Sequence, residues 1–217
     1  MDAETKAGLL AGLEIRTPRL NRSGFFVSAE GAVLTTTEAV EGCTRVTIDH
    51  ATEATVALTD AKTGLALLTP NVPLAPRSFA SFPASAGRPG SEITLSGYSY
   101  EDRLPAPVLT FGTLEELTGL DGEADLRRLA IASLPGDVGG PVLDATGGLI
   151  GMLLPAAVPA GKQLPPGVVF ALGASAIANA IEPAGVVPSP TEASAALAPS
   201  DLADLATGMT ALVSCWD

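Results

Sequence analysis

Leu134-Pro135-Gly136-Asp137-Val138-Gly139-Gly140-Pro141-Val142-Leu143 runs on into Asp144-Ala145-Thr146-Gly147-Gly148-Leu149-Ile150-Gly151-Met152. Two prolines and three glycines within the first ten residues rule out a continuing helix, because proline removes a donor and glycine loses the most freedom on ordering. Val142-Leu143 and Leu149-Ile150 read as buried strand segments, and the glycine-bearing stretch between them reads as a turn. Taken alone, the segment is a glycine-rich turn leading into a pair of buried strands.

Working outward, the same grammar repeats. Leu149 to Leu154 and Val168 to Leu172 read as strands, joined by a Pro/Gly-rich hairpin loop from Pro155 to Gly167. Upstream, Leu126 to Ala132 and Leu109 to Leu114 are strands, and Ile93 and Leu95 alternate with Glu92, Thr94 and Ser96. Pro70, Pro73 and Pro76 mark a linker. Before it, a hairpin is predicted from Ser23-Gly24-Phe25-Phe26-Val27-Ser28, the turn Ala29-Glu30-Gly31, and Ala32-Val33-Leu34-Thr35-Thr36. Thr37 to Val40 has room for one helical turn. Val46 with Ile48, and Val56 with Leu58, alternate as half-buried strands, and Leu65-Ala66-Leu67-Leu68 is a central strand. Residues 1 to 12 predict a short amphipathic lead-in.

Downstream, Ala174 to Ile181 predicts a helix ended by Pro183. Val186 to Pro199 reads as an Ala/Pro/Ser-rich tether. Ser200 is the expected cap of a short helix closed by Gly208, and Thr210 to Trp216 reads as a last strand. The expected organisation is a lead-in (1–19), a first barrel (20–69), a linker (70–76), a second barrel with its helix (77–184), and a tether with a helix–strand tail (185–217). Two successive all-β blocks with short helices point to an all-β double barrel.

Composition narrows the function. The 217 residues are 47% hydrophobic and carry 12 basic residues for a net charge of −12. That surface repels phosphate backbones and anionic lipid heads, so neither nucleic acid nor membrane insertion is expected. No apolar run approaches the roughly 20 residues of a membrane span. Met1 to Leu13 lacks a basic segment followed by an apolar core, so no secretion leader is expected within this chain. His50 is the only histidine, and it reads as a turn residue. Cys43 and Cys215 have no metal-ligand spacing, and neither metal nor cofactor is expected.

Five segments, in this order along the chain, resemble trypsin-like serine proteases of the HtrA type. Ser23 to Thr35 resembles the opening strands of that family, and Leu34-Thr35-Thr36-Thr37-Glu38-Ala39-Val40 resembles the segment that carries its general-base histidine. Thr63-Gly64-Leu65-Ala66-Leu67-Leu68 resembles the segment of its orienting aspartate. Leu134 to Leu143 resembles the Gly-Asp-Ser-Gly-Gly-Pro nucleophile segment, and Val168-Val169-Phe170-Ala171-Leu172 its last strand before the C-terminal helix. The resemblance covers about residues 20 to 184 and implies two six-stranded Greek-key barrels.

The resemblance also places Glu38, Gly64 and Val138 at the three catalytic positions. That substitution implies a chain without the family's peptidase chemistry, because valine has no oxygen to attack a carbonyl. Gly136, Asp137 and Val138 keep the spacing that in active relatives directs two N–H groups at an oxyanion. The strand Ile150, Gly151, Met152, Leu153, Leu154 lies where relatives pair with substrate backbone, which implies a protein or extended peptide as partner. Three readings stay open: a binding or regulatory module of the cell envelope, a structural domain of a longer envelope protein, and a hydrolase with a different active site. A tether ahead of a cysteine-bearing apolar strand predicts a Cys43–Cys215 disulfide, with Thr210 to Trp216 docked on the first barrel in a periplasmic or secreted setting. Two separate buried thiols are the alternative.

Overall fold

Residues 17–85, 87–156, 165, 167–191 and 195–217 are described by a computed structural model. The expected lead-in helix and most of the loop between Pro155 and Gly167 lie outside them. The β-branched and aromatic runs form strands in chain order: β1 Leu20–Phe26, β2 Val33–Thr36, β3 Arg45–Ile48, β4 Thr52–Asp60 and β5 Leu65–Pro70. After the linker come β6 Ser81–Pro83, β7 Glu92–Gly97, β8 Val108–Glu116, β9 Leu126–Ala130, β10 Pro141–Asp144, β11 Leu149–Leu153 and β12 Val168–Gly173. The tail holds helix α1 Ala174–Ile181, β13 Ser189–Thr191, helix α2 Pro199–Met209 and β14 Thr210–Trp216.

Two closed antiparallel barrels of six strands result. The first runs β1-β14-β3-β4-β5-β2 and the second β10-β11-β12-β9-β8-β7. Closure leaves no strand edge unpaired, which removes the main aggregation hazard of an all-β chain. In β7 Ile93 and Leu95 are buried as read, but Thr94 and Ser96 between them are buried too. In β4 it fails, because a bulge between Val56 and Leu58 shifts the register and leaves Val56 exposed. One apolar cluster joins Phe25, Leu34 and Leu67 of the first barrel to Leu143, Met152 and Leu172 of the second, with Ile177 of α1 and Met209 of α2. Smaller clusters fill each barrel, around Val33, Ile48 and Leu68 and around Leu95, Leu129 and Val142.

The tail departs from the sequence expectation in three ways. The segment 20–69 does not close the first barrel alone. β14 supplies the sixth strand, paired to β1 from Leu20↔Cys215 to Phe25↔Thr210 and to β3 from Val213↔Ile48 to Trp216↔Arg45. Nor is the tether wholly unpacked: β13 lies parallel to β6, with Pro190 opposite Phe82 in a two-stranded sheet whose edge tolerates proline. Helix α2 begins two residues early, at Pro199, with Ala198 in place of Ser200 as its cap and no side-chain cap bond, and it runs past Gly208 to Met209. Proline at the first helical position is already fixed at helical φ and needs no donor there. The Cys43–Cys215 disulfide is present, with Cα atoms 5.3 Å apart across 172 residues of sequence.

Candidate functional site

Where the barrels meet, β1 is the organising strand. The Ser23 N–H donates to the Val138 carbonyl (3.0 Å), and its Oγ donates to the Gly136 carbonyl (2.7 Å) and accepts from the Tyr98 N–H (2.8 Å). One serine thus fastens the Leu134–Leu143 turn of the second barrel to the first. The turn is packed backbone to backbone. A Cβ at Gly136 would collide with the Tyr98 carbonyl, one at Gly139 with the Ser23 carbonyl, and one at Gly140 with the Ser96 carbonyl. Asp137 is buried; its Oδ1 accepts from Ser99 Oγ (2.6 Å) and its Oδ2 from the Leu134 N–H (2.8 Å). That carboxylate is a structural acceptor inside the turn.

The predicted residues are brought to this junction. Glu38 sits in a 3-10 turn, Thr37–Ala39, just after β2. Gly64 ends the turn before β5 with φ 71°, and its carbonyl accepts from the Thr37 N–H (2.9 Å). Leu154 reaches across from the second barrel, so that a Cβ at Gly64 would stand 4.0 Å from its Cδ2. Val138 is buried, and its N–H donates back to the Pro135 carbonyl (3.3 Å). One of the two N–H groups assigned to an oxyanion is therefore already engaged within the turn.

Arg22 is the residue that sequence reasoning missed. Its guanidinium gives Nε (3.0 Å) and Nη2 (2.6 Å) to Glu38 Oε1, and Nη1 (3.0 Å) to Glu101 Oε1. The arginine side chain is 11% exposed, so a buried cation is neutralised by two carboxylates at its rim. Glu38 is held by Arg22 and Asp137 by Ser99, so the two do not form an acid–base pair. A charged residue at the head of the apolar Phe25-Phe26-Val27 run was the available signal, but its partner 16 residues away lies across a hairpin.

The expectation for Ile150 to Leu154 needs correction. β11 has neighbours on both sides, Pro141↔Met152 and Val142↔Gly151 with β10, and Met152↔Leu172 and Leu153↔Ala171 with β12. The Leu153 N–H donates to Gly140, its carbonyl accepts from Gly139, and the Leu154 N–H donates to Phe170. A closed barrel uses these groups itself, so this strand has no edge to offer a peptide.

A larger recess of about 890 Å³ opens beside the junction, lined by Asp49, Arg77, Tyr98, Pro107, Asp201 and Asp204. Two tight turns flank it, with left-handed Asp49 and His50 (φ 47° and 69°) facing Glu101 and Asp102 (51° and 77°). His50 Nε2 lies 3.3 Å from Asp102 Oδ1 and is 60% exposed, the turn residue expected from the sequence. Burial, then the charges of Asp49 and Asp102, push the Tyr98 hydroxyl up to about 12. Burial raises the Asp49 carboxyl as well, against the opposing hydrogen bond from Leu212. Among the described residues no group of three or more His, Cys, Asp or Glu could hold a metal ion.

The sequence profile of the trypsin-like peptidase domain matches residues 22–152, a span that contains Glu38, Gly64 and Val138. The chain belongs to the trypsin-like peptidase domain family. The fold of this trypsin-like domain is similar to that of the Rv3671c protease in its inactive form, at 25% identity and TM-score 0.59, covering 76% of this chain and 86% of that one. A serine-to-alanine mutant of Rv3671c from M. tuberculosis H37Rv, also an inactive form, matches at 26% identity and TM-score 0.60, over 76% and 84% of the two chains. The serine endoprotease from Yersinia pestis shares the fold at 19% identity and TM-score 0.59, over 76% and 57%. Among curated proteins, uncharacterized protein y4bJ of Sinorhizobium fredii is 25% identical over 203 residues, which is 89% of this chain. The trypsin-like domain spans about a third (32%) of that relative's length.

Proposed function

We propose that this trypsin-like domain is a non-catalytic pseudoprotease that binds a protein partner or extended peptide in an extracytoplasmic compartment. The observation that carries the reading is Val138, an apolar side chain at the nucleophile position whose N–H is given to Pro135. Glu38 is bound by Arg22 and cannot shuttle a proton as imidazole does, and Gly64 has no side chain to orient a base. The Cys43–Cys215 bridge supports an oxidising location. The test is turnover of casein and activated esters together with labelling by a fluorophosphonate probe. Neither should exceed the blank, and Val138→Ser alone should restore neither; labelling that vanishes in Val138→Gly would overturn the proposal.

With β11 closed, the surface for a partner is the recess where the Tyr98–Pro107 loop of the second barrel meets the linker, Asp49 of the first barrel and α2. Asp49, Asp201 and Asp204 line the 890 Å³ recess with a single guanidinium, that of Arg77, an excess of negative charge that favours a peptide carrying a basic side chain. Anisotropy with a labelled lysine-bearing peptide should show binding that weakens with salt and falls about tenfold in Asp204→Lys. Salt-independent binding would exclude this face. A second reading, a structural domain of a longer envelope protein, is favoured by the length of y4bJ, about two thirds of which lies outside the match.

A further inference from the structure

Arg127 lies on β9 of the second barrel and is 4% exposed. Its Nη1 donates to the carbonyls of Leu117 (2.9 Å), Ala124 (2.8 Å) and Leu126 (2.8 Å). Its Nε is buried without a hydrogen-bond partner. Among the described residues no carboxylate comes within ion-pair distance of the guanidinium. The guanidinium lies against Gly173, where a Cβ would stand 2.8 Å from Cζ and 2.9 Å from Nη2. Gly173 is the cap residue of α1, which has no side-chain cap and no acidic residue in its first turn. A buried cation therefore abuts the positive end of a helix, two groups that repel each other and both favour an anion.

Between them is a cavity of about 190 Å³, lined by Phe82, Ser85, Arg127, Ala174, Ser175 and Ala178. We infer that this cavity is a carboxylate-binding site, in which the guanidinium of Arg127 and the first N–H groups of α1 hold one carboxylate group on a small apolar body. Nη2 is the guanidinium nitrogen nearest Gly173 and the helix end, and it is the donor that takes the carboxylate in a charge-assisted bond. One guanidinium balances one negative charge, and walls of Phe82, Ala174 and Ala178 penalise the second charge of a phosphate. Burial lowers the Arg127 guanidinium from its usual value, opposed by the charge of Asp125. A bound anion would oppose that shift too. None of Glu38, Gly64 and Val138 lines this cavity, and the site is independent of the pseudoprotease reading.

The test is titration of the whole ¹⁵N-labelled chain with butyrate, with butyramide as the neutral isostere. Butyrate should shift the Arg127 Nε–H and the amides of Ala174, Ser175 and Ala176 saturably, and butyramide should not. Ala178→Leu fills the cavity without touching Arg127 and should weaken binding about tenfold in a folded protein. A short peptide with a free C-terminus, compared with its amidated form, separates the two sources: tighter binding than butyrate assigns a chain end, weaker binding a free small acid, and both uphold the site. No shift at about 50 mM butyrate, equal shifts with butyramide, or undiminished binding in Ala178→Leu would overturn it.

Discussion

At Gly139 the backbone is left-handed (φ 86°), and a Cβ there would run into the Ser23 carbonyl and come 2.7 Å from Thr35 Oγ1. Gly90 has nearly the same dihedral (φ 83°) but nothing within 4 Å of its added Cβ. Gly90→Ala should therefore cost only the dihedral penalty, about 1 kcal/mol. Gly139→Ala must in addition push β1 away from the turn, and should cost at least about 3 kcal/mol. Urea midpoints at constant m separate the two; equal losses would mean that the turn yields freely. Asp49 makes a second residue-scale case. Burial raises its folded carboxyl above the ordinary 3.8, so its stabilising contribution is present in acid and is lost as pH rises through the folded value. Asp49→Asn keeps an acceptor for the Leu212 N–H and tolerates the left-handed φ of 47°. The variant should be more stable than the parent at neutral pH, and the gain should fade as the pH falls through the folded carboxyl's range toward 3.8. A gain unchanged in acid would rule out desolvation as its cause.

Among the elements, β14 has the largest structural consequence for its length. It lies between β1 and β3, its residues Thr210 to Cys215 are buried, and Trp216 stacks 4.6 Å from the Arg45 guanidinium and donates from Nε1 to Thr47 Oγ1 (3.0 Å). Removing residues 210–217 would expose the facing edges of β1 and β3 and should give an aggregating chain. The disulfide secures the same strand. Closing a loop with a sequence separation of 172 removes about 5 kcal/mol of unfolded-state entropy in the chain-entropy model, an upper figure. Reduction should lower the urea midpoint accordingly while leaving the folded spectrum unchanged. Proteolysis at exposed Pro190 should leave both fragments joined on a non-reducing gel and separate on a reducing one. Separation without reductant would contradict the bridge.

For the molecule as a whole, the shared cluster from Phe25 through Met152 to Met209 couples the barrels. Burying each such large apolar side chain contributes about 1.5–3 kcal/mol, and neither barrel keeps this cluster covered alone. Calorimetry should show one transition with equal calorimetric and van't Hoff enthalpies; two resolved transitions would mean that the barrels are energetically separate. The sequence by itself determined most of the strands, because local period, turn residues and apolar runs are carried within a few residues: β14 matches its expected bounds, and the Gly136–Gly140 turn is written in its glycines. It also pointed to a Cys43–Cys215 bridge, from a cysteine-bearing apolar strand placed after a tether, with two separate thiols as the alternative that the structure decided against. Tertiary structure alone decided which strands are neighbours. That β14 completes the first barrel, that Arg22 holds Glu38, that β11 has no free edge, and that Arg127 faces a helix end without a carboxylate are all contacts between distant segments. Such contacts depend on barrel closure and register, which no local pattern encodes, because closure is set by how the whole apolar surface is buried at once.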